Sequence, residues 1–247
     1  MSAPSTVTKI AFVAGATGYT GSNIVPLLVE QGWVVYAHVR PDSPALADWQ
    51  ARFEAIGAVV DTTPWDEAAM ADRFEAIQPT AIFALLGTTK KRAKNTTSAI
   101  NDTYEAVDYG LTALLRRAAE ARSPDARFVY LSAYGVQPNS KSPYNQARAK
   151  LEAELRAGKL DYVVIRPAII AGEREESRPL ESMGAAAVAG VVGAMRLFGA
   201  KKPAGDLRTR SGKELAQNCI DAAEHAPNGA ELTGAALDAL RASVSQA

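Results

Sequence analysis

The sequence predicts an α/β fold with a doubly wound parallel sheet, and three observations support this fold class. An apolar segment, residues 10–14, runs directly into a turn that carries Gly15, Gly18 and Gly21. Short, almost continuously apolar segments then alternate with segments of helical length, as in βαβ units whose strands are covered on both faces. The chain of 247 residues is long enough for one sizeable domain of this Rossmann type.

Apolar runs predict the strands in chain order. We expect strands at residues 9–14, 33–39, 59–61, 81–86, 127–131 and 162–166, with a late strand at 231–232. The length and apolar spacing of the intervening segments predict helices at residues 22–31, 66–77, 98–121, 143–157 and 214–224. We expect residues 1–7 to be flexible, and residues 171–202, which depart from this rhythm, to form a small cap over a substrate cleft within a single domain.

Charge and cysteine content predict the kind of partner and the compartment. Lysine plus arginine number 27, as do aspartate plus glutamate, so no net charge draws the chain to nucleic acid or an anionic membrane, and we expect a small-molecule substrate. The single cysteine, Cys219, and a start without the apolar core of a signal peptide predict a cytoplasmic protein. His38 and His225 are too poorly accompanied to predict a metal site. The apolar run 183–198 is too short for a membrane span, and we interpret it as a packed helix or a contact in a homodimer.

The glycine turn predicts a dinucleotide site. The first glycine permits a tight strand-to-helix turn, the second allows close approach of a pyrophosphate, and the third lets the helix pack on the sheet. The pyrophosphate then faces the positive end of the helix dipole. The predicted contacts come from Gly15, Thr17, Gly18, Tyr19, Thr20 and Gly21.

Residues at the ends of the following strands predict which nucleotide binds. Arg40 ends the second strand, where an acidic residue is usual in NAD enzymes and an arginine suits the 2′-phosphate of NADP. We therefore expect NADP, with NAD as the second choice and a solvated arginine as the alternative. Asp61 is placed to accept from an adenine amino group, and Leu86, Gly87 and Thr88 follow the fourth strand close to the nucleotide. Asp61 and Gly87 are equally compatible with simple turn-forming roles.

The candidate chemistry lies further along the chain. Ser132 follows the 127–131 strand, and Tyr144 lies in the first turn of a helix introduced by Ser142 and Pro143, residue types typical of an N-cap and a first helical position. Arg148 lies four residues after Tyr144 and therefore on the same helix face. The alternative is that the tyrosine and the arginine only cap and solvate the helix.

Several motifs in order resemble the atypical short-chain dehydrogenases/reductases, close to the NmrA-like and Tat-interacting-protein-like oxidoreductases. The motifs are GATGYTG, LLGTTKKRAK, LSAYG, YNQAR, IRPAII and REESRP, which together span roughly residues 8–240. The resemblance implies that Ser132 hydrogen-bonds the substrate oxygen, that Tyr144 is the acid/base, and that Pro167 flanks the nicotinamide. Lys90, Lys91, Arg92 and Lys94, and also Arg174 and Arg178, are interpreted as anion contacts or solvated surface charges.

Two positions depart from that family. The lysine expected four residues after the tyrosine is Arg148, and the second serine of the usual pair is Ala133. A cation about 4 Å from a phenol, at an effective dielectric constant of about 20, contributes about 4 kcal/mol or about three pKa units, so we expect Arg148 to lower the pKa of Tyr144 toward about 7. Arginine does not release its proton as lysine can, which leaves slow turnover or none as the alternative.

Three functions follow from these features. The first is an NADPH-dependent reductase acting on a carbonyl or quinone, with Tyr144 supplying the proton. The second is a regulatory protein that senses the nucleotide without consuming it, as the NmrA-like resemblance allows. The third, a nucleotide-sugar epimerase or dehydratase, is disfavoured because only about 80 residues of the 247 follow Arg166.

Overall fold

The computed structural model describes residues 8–88, 103–170 and 209–246. Several predicted features lie outside these ranges: residues 1–7, the basic cluster from Lys90 to Lys94, Arg174 with Arg178, the 183–198 run and the 171–202 cap.

Strands and helices alternate along the described chain. The strands are β1 (Ile10–Ala14), β2 (Val34–His38), β3 (Val59–Asp61), β4 (Ala81–Ala84), β5 (Arg127–Leu131), β6 (Tyr162–Ile165), β7 (Ile169–Ile170), β8 (Thr209–Arg210) and β9 (Ala230–Leu232). The helices are α1 (Gly21–Glu30), α2 (Leu46–Glu54), α3 (Glu67–Ile77), α4 (Thr112–Arg122), α5 (Pro143–Ala157), α6 (Gly212–His225) and α7 (Gly234–Val244). A π-helical segment, Tyr104–Leu111, leads into α4.

The strands confirm the predicted doubly wound parallel sheet. Within the described residues its order is β3-β2-β1-β4-β5-β6-β9, and every neighbouring pair is parallel. The chain runs outward from β1 to β3 and then returns to place β4 on the other side of β1. The carboxyl ends of β1 and β4 therefore form the switch point at which such sheets bind their ligands.

Each face of the sheet is covered by helices, which explains the continuously apolar strands. In β1, Ala11 and Val13 face one core, which is filled by residues such as Leu28 of α1 and Ile220 of α6. Phe12 and Ala14 face the second core, where side chains of α3, α4 and α5 pack, among them Phe74, Leu115 and Leu151. Both cores hold the carboxyl ends of the central strands in fixed positions.

Two helices, α2 and α7, were not predicted from the sequence because their apolar pattern is weak. α2 fully buries only Phe53, and α7 buries Gly234 and Leu237 among alanines and polar residues. The predicted 98–121 helix is described from residue 103 onward, and its first part winds as a π-helix rather than an α-helix. π-Helical turns are rare and occur frequently at functional sites. Here the segment packs against α5, the helix that carries Tyr144 and Arg148.

Candidate functional site

The glycine turn between β1 and α1 is pressed against the end of β4. Gly15 has a φ of +84°, and a Cβ atom there would lie 2.8 Å from the carbonyl oxygen of Leu85. At Gly21 a Cβ would lie 2.1 Å from the carbonyl oxygen of Gly15, so only glycine allows α1 to start this close to the strand. The Gly18 N–H donates to the Gly15 carbonyl at 2.9 Å and closes the turn. The turn therefore has the tight geometry that the sequence predicts at the switch point.

The N-terminus of α1 is suited to an anion. Thr20, its N-cap residue, makes no side-chain capping bond, and no acidic residue lies in the first turn. In contrast, Asp66 caps α3, and Ser211 with Glu214 forms a capping box on α6. The N–H groups of Ser22 and Asn23 donate to the carbonyls of Gly18 and Thr20, and no acidic side chain neutralises the helix dipole at this end, which favours an anion there. Within the turn, Thr17 and Gly18 are exposed and Thr20 is buried.

The side chain of Tyr19 has a partner elsewhere in the protein. Its hydroxyl accepts a hydrogen bond of 3.1 Å from the N–H of Gly212 at the start of α6. A Cβ on Gly212 would lie 2.9 Å from the Tyr19 ring, so the two groups are closely packed. Tyr19 thus connects the glycine turn to α6, a role that sequence reasoning did not foresee.

Arg40 follows β2 and is accessible to a ligand. Its side chain is 37% exposed, and its nearest acidic partner, Asp42, lies 3.6 Å away. An exposed ion pair at this separation contributes little energy, so the guanidinium can turn to a phosphate group at small cost.

Asp61 ends β3 but serves the protein itself. The carboxylate is buried, accepts a 3.0 Å bond from the N–H of Thr63 and forms an ion pair of 2.5 Å with Arg73. Its hydrogen bond to adenine remains a prediction, and adenine would have to compete with these donors. His38 beside it donates from Nε2 to the Thr63 carbonyl at 2.8 Å, and burial lowers the pKa of this histidine.

The loop after β4 lies against a buried ion pair. A Cβ on Gly87 would lie 3.0 Å from Nη2 of Arg148, and the N–H of Thr88 donates to Oδ2 of Asp108 at 3.0 Å. Leu86, which precedes them, is half-buried. A Cβ at position 87 would therefore crowd the guanidinium of Arg148, which gives glycine an internal reason here in addition to the predicted approach of the nucleotide.

Arg148 and Asp108 form this ion pair in the interior. Arg148 is 5% exposed and Asp108 fully buried, and Nη2 of the arginine donates to Oδ1 of the aspartate at 2.7 Å. Nη1 donates to the carbonyl oxygen of Leu131 at the end of β5, at 2.5 Å. Burial pulls the pKa of Arg148 down, but Tyr130, Tyr144 and Asp108 together raise it above its ordinary value. Arg148 is therefore a fixed internal charge rather than a mobile ligand-binding side chain.

Tyr144 lies beside that charge. The guanidinium of Arg148 is 4.6 Å from the centre of the Tyr144 ring, and the ring of Tyr104 meets it edge-on at 5.4 Å. Burial raises the pKa of Tyr144 above its ordinary value, although Arg148 acts in the opposite direction, and Asp108 adds to the rise. The predicted lowering of the Tyr144 pKa toward 7 is wrong, because burial of the phenol and the Asp108 carboxylate, neither of which the sequence reveals, outweigh the arginine.

Ser132 is engaged away from a substrate. Its hydroxyl donates to Oε1 of Glu152 at 2.6 Å, and this buried carboxylate is paired with Arg166 at 2.6 Å. In this arrangement the hydroxyl donates its hydrogen bond to Glu152, so the predicted donation to a substrate oxygen requires the hydroxyl to rotate. Pro167 lies buried after β6, and its carbonyl accepts from the N–H of Tyr134 at 3.0 Å.

Sequence reasoning missed Asp108 and Glu152, although one signal for Asp108 existed. Asp108 lies one turn before Thr112, and Leu115 and Ala119 continue the same helix face. All three of these later residues are buried. A carboxylate on such a face needs a cationic partner, because a buried unpaired charge is costly.

A family model for NAD(P)H-binding proteins matches residues 15–192 of the chain. The FMP52 protein of Eremothecium gossypii is 33% identical over 169 residues, which cover 67% of this chain and 68% of that protein. The FMP52 protein of Coccidioides immitis is 26% identical over 228 residues, or 90% of this chain and 88% of that protein.

Solved structures show the same fold. A UDP-N-acetylglucosamine 4-epimerase from Methanobrevibacter ruminantium superposes with a TM-score of 0.61 over 98% of this chain and 84% of its own, at 18% identity. At this identity the likeness concerns the fold alone.

The relatives correct the predicted location, and the family model confirms the predicted family. Both FMP52 proteins are named as mitochondrial, which overturns the cytoplasmic location predicted from the composition and the N-terminus. In the part of the chain that the structure describes, no helix has the length and apolar character to cross a membrane. The resemblance inferred from the motifs is confirmed: the chain belongs to the NAD(P)H-binding family and is an atypical short-chain dehydrogenase/reductase of the NmrA-like kind.

Proposed function

We propose that the protein is an NADP(H)-dependent oxidoreductase that reduces a small carbonyl or quinone, with Tyr144 as the proton donor. The observation that carries the proposal is the environment of Tyr144, which lies beside the fixed charge of Arg148 and has a raised pKa. A bound nicotinamide supplies the hydride in such a reaction. Tyr144 supplies the proton to the oxygen that gains negative charge.

The raised pKa favours the reductive direction. A phenol whose pKa lies above its ordinary value keeps its proton throughout the neutral range, so Tyr144 is ready to donate and poorly able to abstract. After donation the phenolate is stabilised by the guanidinium of Arg148, which lies 4.6 Å from the ring centre. We therefore expect the reduction rate to be flat through neutral pH and to fall only in the alkaline range, where Tyr144 loses its proton.

In this proposal, residues at the carboxyl ends of the strands would contact different parts of the cofactor. The backbone of the glycine turn and the N-terminus of α1 would hold the pyrophosphate, and Arg40, which is exposed, would hold the 2′-phosphate. Gly87, Thr88 and Pro167, which follow β4 and β6, would border the nicotinamide half. Asp61 keeps the turn after β3 in shape through Thr63 and Arg73.

Replacing Tyr144 by phenylalanine tests the proposed function. We expect the turnover number for a panel of aldehydes, ketones and quinones to fall by about 10²- to 10⁴-fold, the usual contribution of a positioned proton donor, with unchanged affinity for NADPH. Tyr104→Phe is the matched control, because it removes the hydroxyl of the ring that touches Tyr144 and should retain turnover. Wild-type turnover in Tyr144→Phe would contradict the assignment.

Arg40→Ala tests the preference for NADP. A hydrogen bond to a charged group contributes about 1.5–3 kcal/mol, so we expect NADPH affinity to fall by about 10- to 100-fold while NADH affinity stays constant. Isothermal titration with both nucleotides measures this difference. Arg52→Ala, which removes an arginine stacked on Trp49, is the control and should leave both affinities unchanged. Equal losses for NADPH and NADH in Arg40→Ala would show that Arg40 does not read the 2′-phosphate.

A second candidate function is nucleotide sensing without turnover. Its support is Arg148 in the place of the family lysine: the guanidinium is held by Asp108 and the Leu131 carbonyl and keeps its proton, so it cannot pass protons as the lysine does. A sensor would bind NADPH, leave it unconsumed and change its affinity for a protein partner. A pull-down in which no partner depends on the nucleotide, together with turnover that Tyr144→Phe abolishes, would exclude this alternative.

A further inference from the structure

Asp108 contacts groups from two other elements of the site. It projects from the π-helical segment, is fully buried, and accepts from the N–H of Thr88 in the loop after β4 and from Arg148 on α5. The same arginine also donates to the carbonyl of Leu131. The π-helical segment thus places a carboxylate against the guanidinium, which also lies beside the rings of Tyr144 and Tyr130.

Among the residues that the structure describes, the ionisable groups that act most strongly on Tyr144 come from three elements. Arg148 lies on its own helix, Asp108 and Tyr104 belong to the π-helical segment, and the buried Tyr130 comes from β5. Arg148 and Asp108 are the charged members of this set at neutral pH. At a distance the opposite charges of Arg148 and Asp108 largely cancel. Close to the pair, their effect on the ionisation of Tyr144 depends on the positions of the two charges.

We propose that Asp108 is a positioning residue that fixes the Arg148 guanidinium against the Tyr144 ring and limits how far this charge promotes ionisation of the tyrosine. Asp108 acts through Arg148 and does not contact the substrate. The proposal rests on the proposed role of Tyr144 as proton donor, which it deepens by naming a residue that acts together with burial to keep the donor protonated.

Removing the charge of Asp108 and removing the charge of Arg148 should shift the titration of Tyr144 in opposite directions. Asp108→Asn keeps an oxygen for the Thr88 N–H but removes the negative charge, so the uncompensated guanidinium should promote ionisation of Tyr144. At the separations in this site, such a change in charge should raise the ionisation constant of Tyr144 by about tenfold or more. Arg148→Met should shift the same titration toward higher pH.

The test is an alkaline titration of the full-length protein without nucleotide. Tyrosinate absorbance in the ultraviolet is recorded for each variant, and the Tyr144 transition is assigned by its loss in a Tyr144→Phe background; circular dichroism confirms that the fold persists. Glu105→Gln is the matched control, since it removes a carboxylate three residues from Asp108 whose side chain is 64% exposed and paired with Lys150. This control should leave the Tyr144 transition at its wild-type pH.

A downward shift in Asp108→Asn with none in Glu105→Gln supports the proposal, and an unshifted transition in folded Asp108→Asn overturns it. If Asp108→Asn does not fold, the double variant Asp108→Asn/Arg148→Gln removes both charges and retains hydrogen-bonding groups. In the double variant Tyr144 should titrate at lower pH than in Arg148→Gln alone, which retains the Asp108 carboxylate, and equal midpoints in these two variants would overturn the proposal. The titration requires no turnover, so the proposed function can fail, through an active Tyr144→Phe enzyme, while this result stands.

Discussion

Replacing Arg148 by methionine is expected to lower the free energy of unfolding by about 3–5 kcal/mol, the usual cost of breaking one partner out of a buried ion pair. The substitution preserves most of the side-chain volume but leaves the fully buried Asp108 without its cationic partner. It also leaves the Leu131 carbonyl without its 2.5 Å donor. Urea unfolding of the wild type and the variant at neutral pH measures the difference.

The loss of stability in Arg148→Met should grow as the pH rises. Burial already raises the pKa of the Asp108 carboxyl, with Arg148 and the Thr88 N–H opposing that rise, so removal of Arg148 raises it further. A carboxyl whose pKa is higher in the folded state favours folding at acid pH and loses this contribution as the pH passes through the folded-state value. Urea unfolding at a series of pH values from acid to neutral measures this. The free energy of unfolding of the variant should approach that of the wild type in acid and be lower at neutral pH.

Lys150→Met is the control for the loss of a cation from the same helix. Lys150 pairs with Glu105 at the surface, with side chains 50% and 64% exposed, and should cost at most about 1 kcal/mol. An Arg148→Met protein as stable as the wild type at neutral pH would contradict the buried-pair account.

Replacing Gly21 by alanine is expected to damage the fold and the nucleotide site together. The new Cβ would lie 2.1 Å from the Gly15 carbonyl oxygen and 2.7 Å from the Cα of Ala16, and neither backbone atom can move aside without opening the turn. Overpacking of this kind costs typically about 1–3 kcal/mol, and a clash with rigid backbone belongs at the upper end of that range. Because the displaced atoms form the predicted pyrophosphate site, NADPH affinity should fall by about tenfold or more, corresponding to at least about 1.4 kcal/mol.

Gly32→Ala separates steric from conformational effects. Gly32 has a φ of +78° with open space around it, so alanine there should cost only about 1–2 kcal/mol of backbone strain and leave NADPH affinity intact. Thermal unfolding and calorimetric titration of both variants give the comparison. Wild-type NADPH affinity in Gly21→Ala would show that the glycine turn does not hold the nucleotide.

The sheet could be predicted because its signals are local. The 59–61 and 127–131 strands and the 143–157 helix have the predicted bounds, since apolar runs between glycine, proline and polar turns are sufficient to locate them. The weakly patterned α2 and α7 were missed for the same reason. A glycine at position 15 followed from the motif, but the atom that leaves no room for a Cβ there, the Leu85 carbonyl oxygen, follows β4 and is distant in sequence.

The site was harder to predict because its energetics depend on contacts distant in sequence. The spacing of Tyr144 and Arg148 placed the two on one face, but Asp108 lies 40 residues before its partner and reaches it through a π-helical register that propensities do not indicate. The Ser132–Glu152 bond spans 20 residues in the same way. Burial of Tyr144, which reverses the expected direction of its pKa, is a property of the packed structure.

The central claim is that Tyr144 protonates a substrate beside the nicotinamide. A crystal structure of the protein with NADP⁺ tests it through one distance, between the Tyr144 hydroxyl oxygen and C4 of the nicotinamide. We expect the two atoms to flank one open position, from which a substrate oxygen reaches the hydroxyl within hydrogen-bond distance while the carbonyl carbon faces C4. A nicotinamide bound away from α5, or a Tyr144 hydroxyl sealed from it by protein atoms, would contradict the account.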